Sequence, residues 1–133
     1  MGSDNDKSIY YALDSSDSQV SLYAARALLI ESQGPSRFYR TGAKHAIIYQ
    51  YQLYKAENVY LGHIQSETPY YQPHPQAPEP FESTVGDFPG DPTFGDCKEE
   101  SENCKEAWGL RIVDSRDVLV HSAGLYQFFD DYT

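Results

Sequence analysis

The chain has 133 residues, 40% of them hydrophobic, which is enough for one domain around one core. Its formal net charge of −10 repels phosphate backbones and excludes nucleic acid as a partner, while a neutral polysaccharide stays compatible. Apolar runs such as residues 27–30 are far shorter than the roughly 20 residues of a membrane span, so no membrane contact is predicted.

Residues 1–19 are rich in Ser and Asp, with a small apolar cluster at Ile9, Tyr10 and Tyr11, and read as a polar lead-in. No basic stretch followed by an apolar one comes after Met1, so no signal peptide is visible and any leader is expected to belong to a longer precursor. Residues 20–31 are rich in good helix formers, with a possible cap at Asp17 or Ser18, and propensity alone favours a helix there.

A repeat competes with that helix. Leu29-Ile30-Glu31-Ser32 resembles Leu53-Tyr54-Lys55-Ala56 and Ile112-Val113-Asp114-Ser115. The last two continue in parallel, Glu57-Asn58-Val59-Tyr60-Leu61 matching Arg116-Asp117-Val118-Leu119-Val120. Each unit reads as a short strand, a turn carrying Asn or Asp, and a second short strand, since Asn and Asp tolerate left-handed turn conformations. The third copy is displaced by a long stretch, residues 68–107, in which Pro69, Pro73, Pro75, Pro78, Pro80, Pro89 and Pro92 forbid a continuous helix or central strand. A solenoid with one long excursion from a turn accounts for that spacing. The predicted fold is therefore all-β: a truncated right-handed parallel β-helix, a single-stranded solenoid of the pectate-lyase type, over residues 20–133. An ordinary β-sandwich with two similar strand pairs is the alternative. Because such coils bury their core only by stacking, the chain reads as a piece of a longer solenoid.

Within the excursion, Cys97 and Cys104 enclose a short polar loop. A disulfide between them, fitting a secreted protein, is favoured over two free thiols. Two cysteines alone do not make a zinc site, and His45, His63, His74 and His121 show no metal-ligand spacing, so no metal or other cofactor is predicted. No N-glycosylation sequon, phosphate loop or nucleophile elbow occurs.

The run Tyr49-Gln50-Tyr51-Gln52-Leu53-Tyr54, then Ala56-Glu57-Asn58-Val59, then Ile64-Gln65-Ser66-Glu67-Thr68-Pro69-Tyr70-Tyr71-Gln72-Pro73 resembles glycoside hydrolase family 55, the fungal exo- and endo-β-1,3-glucanases. Phe38-Tyr39 with Thr41-Gly42, the Gly90-Asp91-Pro92 turn, the Trp108 segment and Gly124-Leu125-Tyr126 add to the likeness, which covers roughly residues 20–132. The resemblance implies two tandem right-handed parallel β-helix domains with an active site between them. This chain would be the later part of the second, and the missing N-terminal β-helix would be its partner. It also implies inverting hydrolysis of β-1,3-glucan and a secreted, extracellular protein of the fungal cell wall.

By the same resemblance, Glu67 stands at the position of the general acid, which must hold a proton to donate to the departing glycosidic oxygen. Burial beside Pro69, Tyr70 and Tyr71 would favour its neutral form. Without the resemblance, a solvated loop Glu is the more ordinary reading. The family's second carboxylate would fall at Lys44, in Ala43-Lys44-His45. A lysine cannot serve as a base carboxylate, and its charge opposes protonation of a nearby Glu67. The C-terminal segment also departs: Gln127-Phe128-Phe129 stands where the family often has Ser-Trp-Phe. Gln65, Tyr70, Tyr71, Trp108 and Tyr126 are substrate-contact candidates, the aromatics by stacking on glucose rings, with His45 on the site wall. For Trp108, a core position flanking residues 110–113 is an equal alternative. Two functions follow: a fragment of a β-1,3-glucanase, or a non-catalytic β-glucan-binding or interaction protein derived from one.

Overall fold

A computed structural model describes residues 23–101 and 103–127. The lead-in at 1–19 and the start of the 20–31 segment, with its proposed caps, lie outside the described residues.

Among the described residues, seven strands run in chain order: β1 (Arg26–Ile30), β2 (Ser36–Tyr39), β3 (Gly42–Lys44), β4 (Tyr49–Tyr54), β5 (Glu57–Glu67), β6 (Trp108–Val113) and β7 (Arg116–Tyr126). They make two small sheets in which every pairing is parallel. One has the order β1–β4–β6; in the other, β5 carries β2 and β3 along one edge and β7 along the opposite edge. The helix favoured by propensity for 20–31 gives way to β1, because pairing with β4 places Leu28 and Ile30 against the core, and such tertiary burial outweighs intrinsic preference.

The right-handed β-helix expected from the repeat is not what forms. The described residues make an all-β pair of small parallel sheets, three and four strands each, and no closed solenoid of coils. The repeat misled because a strand–turn–strand unit repeated in parallel needs only two sheets to pair its copies.

The core lies between the sheets. Tyr51 and Leu53 from β4 meet Val59, Leu61 and Ile64 from β5, with Ile30, Ala43 and Ala56 completing the cluster. Strand alternation explains the split on β4. Tyr51 and Leu53 enter this core, whereas the Gln52 amide between them turns to the long segment, donating to Pro89 O at 3.3 Å and Gly90 O at 3.1 Å.

Turns stack as well as strands. Lys55 and Asp114 have φ of 49° and 46°, and Asn58 and Asp117 have 59° and 53°, at matching places in the two units. A third row, Arg40, His63 and Ser122, with φ of 51°, 55° and 66°, bends β5 and β7 midway and separates β2 from β3. Asn and Asp at such positions carry little left-handed penalty.

The described residues of 68–107 contain no strand and one 3-10 turn at Glu82–Thr84. The segment nevertheless packs closely: Ala77, Phe81, Val85, Phe94 and Cys97 form a second apolar cluster with Ile48 and Tyr49. Cys97 and Cys104 are joined by a disulfide. Gln72 pins the segment's two ends, its amide donating to Ile47 O at 2.9 Å and its carbonyl accepting from Ala107 N at 2.8 Å. Arg26 on β1 grips the middle, pairing with the Asp91 carboxylate and donating to Thr84 O at 2.7 Å.

Tyr49, at the start of β4, is fully buried, and its hydroxyl finds no hydrogen-bond partner among the described residues. Burial, with Asp91 adding and Arg26 opposing, pushes its phenol up to about 12. An unfolded tyrosine ionises near 10, so between those values the folded chain holds a proton that the unfolded chain has lost. Stability is therefore complete below about pH 10 and falls as pH rises towards 12, by about 2–3 kcal/mol for this residue. Denaturant midpoints measured from neutral to strongly alkaline pH are expected to show this decline, and Tyr49→Phe is expected to make it smaller, Tyr71 contributing the rest. An unchanged decline in that variant would assign the effect elsewhere.

Candidate functional site

β5 ends at Glu67 between two neighbours fixed by parallel register. Lys44 of β3 lies opposite on one side and Tyr126 of β7 on the other. Two residues earlier along the strand, Gln65 lies between Gly42 and Gly124. Four residues singled out from the sequence thus meet at one corner of the second sheet.

The Glu67 side chain is mostly covered, at 15% exposure, and both carboxylate oxygens are engaged. Oε1 accepts from Lys44 Nζ at 2.8 Å and from Gln65 Nε2 at 3.2 Å. Oε2 faces His45 Nε2 at 3.5 Å, an ion pair when the imidazole is protonated. The other ring nitrogen, Nδ1, lies 3.0 Å from Thr68 O, and a carbonyl can only accept, so Nδ1 carries a proton. The backbone of His45 has φ of 62° and donates its N–H to Glu67 O at 3.0 Å, which holds the ring in place. Tyr70 stacks on that ring, centroids 4.3 Å apart and planes 24° from parallel.

Tyr126 supplies an aromatic surface beside this group. Its ring crosses over Gly124, where a Cβ would lie 2.7 Å from Cε2, so only glycine lets the ring lie against the strand. The ring is 45% exposed and Tyr70 equally so. Gln127, next along, donates its amide to the Glu106 carboxylate, tying the end of the long segment to the end of β7.

Lys44, His45, Gln65, Glu67, Tyr70 and Tyr126 therefore come together. Tyr71 does not join them: it packs beside Tyr23, donates to Glu79 O at 3.4 Å, and burial pushes its phenol up to about 12. Trp108 opens β6 in the other sheet, nearly half exposed, with the Arg111 guanidinium 5.9 Å from its ring centroid. The core position considered for it is not where it lies. Sequence reasoning quoted Gly124 only within the Gly124-Leu125-Tyr126 likeness and gave it no role, although a glycine two residues before an aromatic on a strand is a readable sign of a ring lying over the backbone. It also passed over Glu106, in a segment without periodicity. Among the described residues, no three His, Cys, Asp or Glu side chains gather as a metal would require.

No family model matches the chain. Fungal proteins are similar to it over most of its length. A protein named probable glucan endo-1,3-beta-glucosidase, from Arthroderma benhamiae, is 46% identical over 123 residues, covering 92% of this chain and 14% of its own. A glucan 1,3-beta-glucosidase of Cochliobolus carbonum is 39% identical over 121 residues, covering 90% of this chain and 14% of its own. The chain is related to glucanases. A non-secreted LysM effector, LysM15 of Penicillium expansum, is 47% identical over 102 residues, covering 77% of this chain but 7% of its own. The chain thus spans no more than about a seventh of the length of these relatives.

Proposed function

We propose that this chain is a β-1,3-glucan-binding segment of the glycoside hydrolase family 55 type, acting outside the cell, and that by itself it binds glucan without cleaving it. The observation that carries this reading is the Lys44–Glu67 ion pair at 2.8 Å. A general acid must present a proton to the glycosidic oxygen, and an inverting enzyme needs a second carboxylate about 6.5–9.5 Å away to activate water. Here Glu67 Oε1 accepts from Lys44 and Gln65 while Oε2 faces His45. A cation occupies the place where the resemblance puts the second carboxylate. That group suits a fixed charge with donors for sugar hydroxyls, and the exposed Tyr126 ring beside it suits the apolar face of a glucose unit.

A second reading, that Glu67 remains the general acid of a hydrolase, is favoured by the names of the relatives, two of which are glucosidases. Glucose release from laminarin separates the two. The wild-type chain is expected to release none. Lys44→Glu is expected to stay silent as well, because the chain corresponds to 14% of its glucosidase relatives and one restored carboxylate does not rebuild a cleft. Release by the wild-type chain, abolished in Glu67→Gln, would establish the second reading.

A further inference from the structure

A second groove lies on the outer face of β2, β5 and β7, before the left-handed row of Arg40, His63 and Ser122 turns these strands towards the Glu67 corner. It is an open cavity of about 490 Å³, within the range of small-molecule sites. Cross-strand rows build its floor. Arg37, Tyr60 and Leu119 form one row, and Tyr39 begins the next, opposite Gly62. Asn58 and Asp117, both left-handed, flank the first at the turn entering the strands.

The aromatic geometry is specific. The Tyr60 ring crosses over Gly62, where a Cβ would lie 2.7 Å from Cε1, the same arrangement that lays Tyr126 over Gly124. Tyr39 stands against it, ring centroids 5.4 Å apart and planes inclined by 50°. Two inclined rings make an angular wall, and Tyr39 keeps 58% of its surface in water, so packing within the chain does not account for it. The polar lining holds one cation, Arg37, one anion, Asp117, and the Asn58 amide. A balanced pair with an amide offers donors and acceptors without net charge, which suits hydroxyls and gives an anion no advantage on a chain already at −10.

We infer that this groove is a second subsite for a neutral glucose chain, separate from the Glu67 corner. It rests on the glucan-binding reading, and would let one polymer be held at two places on the chain. Two weak contacts on one polymer raise overall binding without new chemistry.

Titration of the isotope-labelled chain with laminarihexaose, followed residue by residue by NMR, tests it. Backbone signals of residues 37–39, 58–62 and 117–119 are expected to shift, alongside a separate set around Glu67 and Tyr126. Tyr60→Ala should weaken the first set roughly three- to tenfold and leave the second in place, while Tyr60→Phe, which keeps the ring, should retain both. Tyr126→Ala should do the reverse. Shifts confined to the Glu67 corner, or a first set indifferent to Tyr60→Ala, would overturn the second subsite and leave the proposed function intact. No shifts anywhere would overturn both.

Discussion

Replacing Asp91 by alanine is expected to destabilise the chain by about 3–5 kcal/mol. The Asp91 side chain is 1% exposed and that of Arg26 10%, so the variant leaves a guanidinium covered and without its main partner. Arg26 Nε donates to Oδ1 at 2.8 Å and Nη2 to Oδ2, a two-point contact that lifts the guanidinium pKa still further. Asp91 also receives the N–H groups of Gly86 at 2.9 Å and Phe88 at 3.3 Å, so its loss frees the loop backbone too. Chemical denaturation measures the loss. Limited proteolysis should show cleavage within 82–95 at denaturant concentrations where the strands persist. The apolar double replacement Arg26→Met with Asp91→Leu should recover much of the stability, because removing both charges removes the desolvation cost of each. A small loss in Asp91→Ala would mean that the segment is held by its apolar cluster alone.

Gly90→Ala addresses the same anchor by a different mechanism. Gly90 has φ of 73°, which costs a residue with a side chain about 1–3 kcal/mol. The added methyl would also fall on the Tyr54 ring, and overpacking of that kind adds about 1–3 kcal/mol more. The carbonyl of Gly90 accepts from Gln52 Nε2 at 3.1 Å and from Arg111 Nη1, so moving the backbone to relieve the clash breaks its bonds to β4 and β6. Thermal unfolding should show a marked drop in Tm. Gly86→Ala is the control: its φ is 98° but a Cβ there meets nothing within 4 Å, so only the backbone cost remains.

The repeat was legible where both copies kept their turn. Matching Leu53-Tyr54 to Ile112-Val113 and Glu57 to Arg116 gives the observed pairing of β4 with β6 and β5 with β7. The first copy was misaligned by one residue. Leu29 was matched to Leu53, yet Leu29 pairs with Gln52 and Ile30 with Leu53. A one-residue slip exchanges the two faces of a strand, and a four-residue match of apolar letters cannot detect it. The closure of coils was over-read, since parallel pairing in two sheets produces the same periodicity. The Lys44–Glu67 contact came from the family resemblance alone, because the repeat as matched steps 24 residues and the register between β3 and β5 is 23. The Arg26–Asp91 anchor was not, because its partners are 65 residues apart and one sits in a segment with no periodicity.

On this account the corner formed by Lys44, Glu67 and Tyr126 contacts glucan. Isothermal titration of the purified chain with laminarihexaose tests it most directly. Heat of binding that weakens in Tyr126→Ala, with no hexaose consumed over the experiment, is the predicted result. Binding that is absent in the wild-type chain, or that survives unchanged in Tyr126→Ala together with Glu67→Gln, would contradict it.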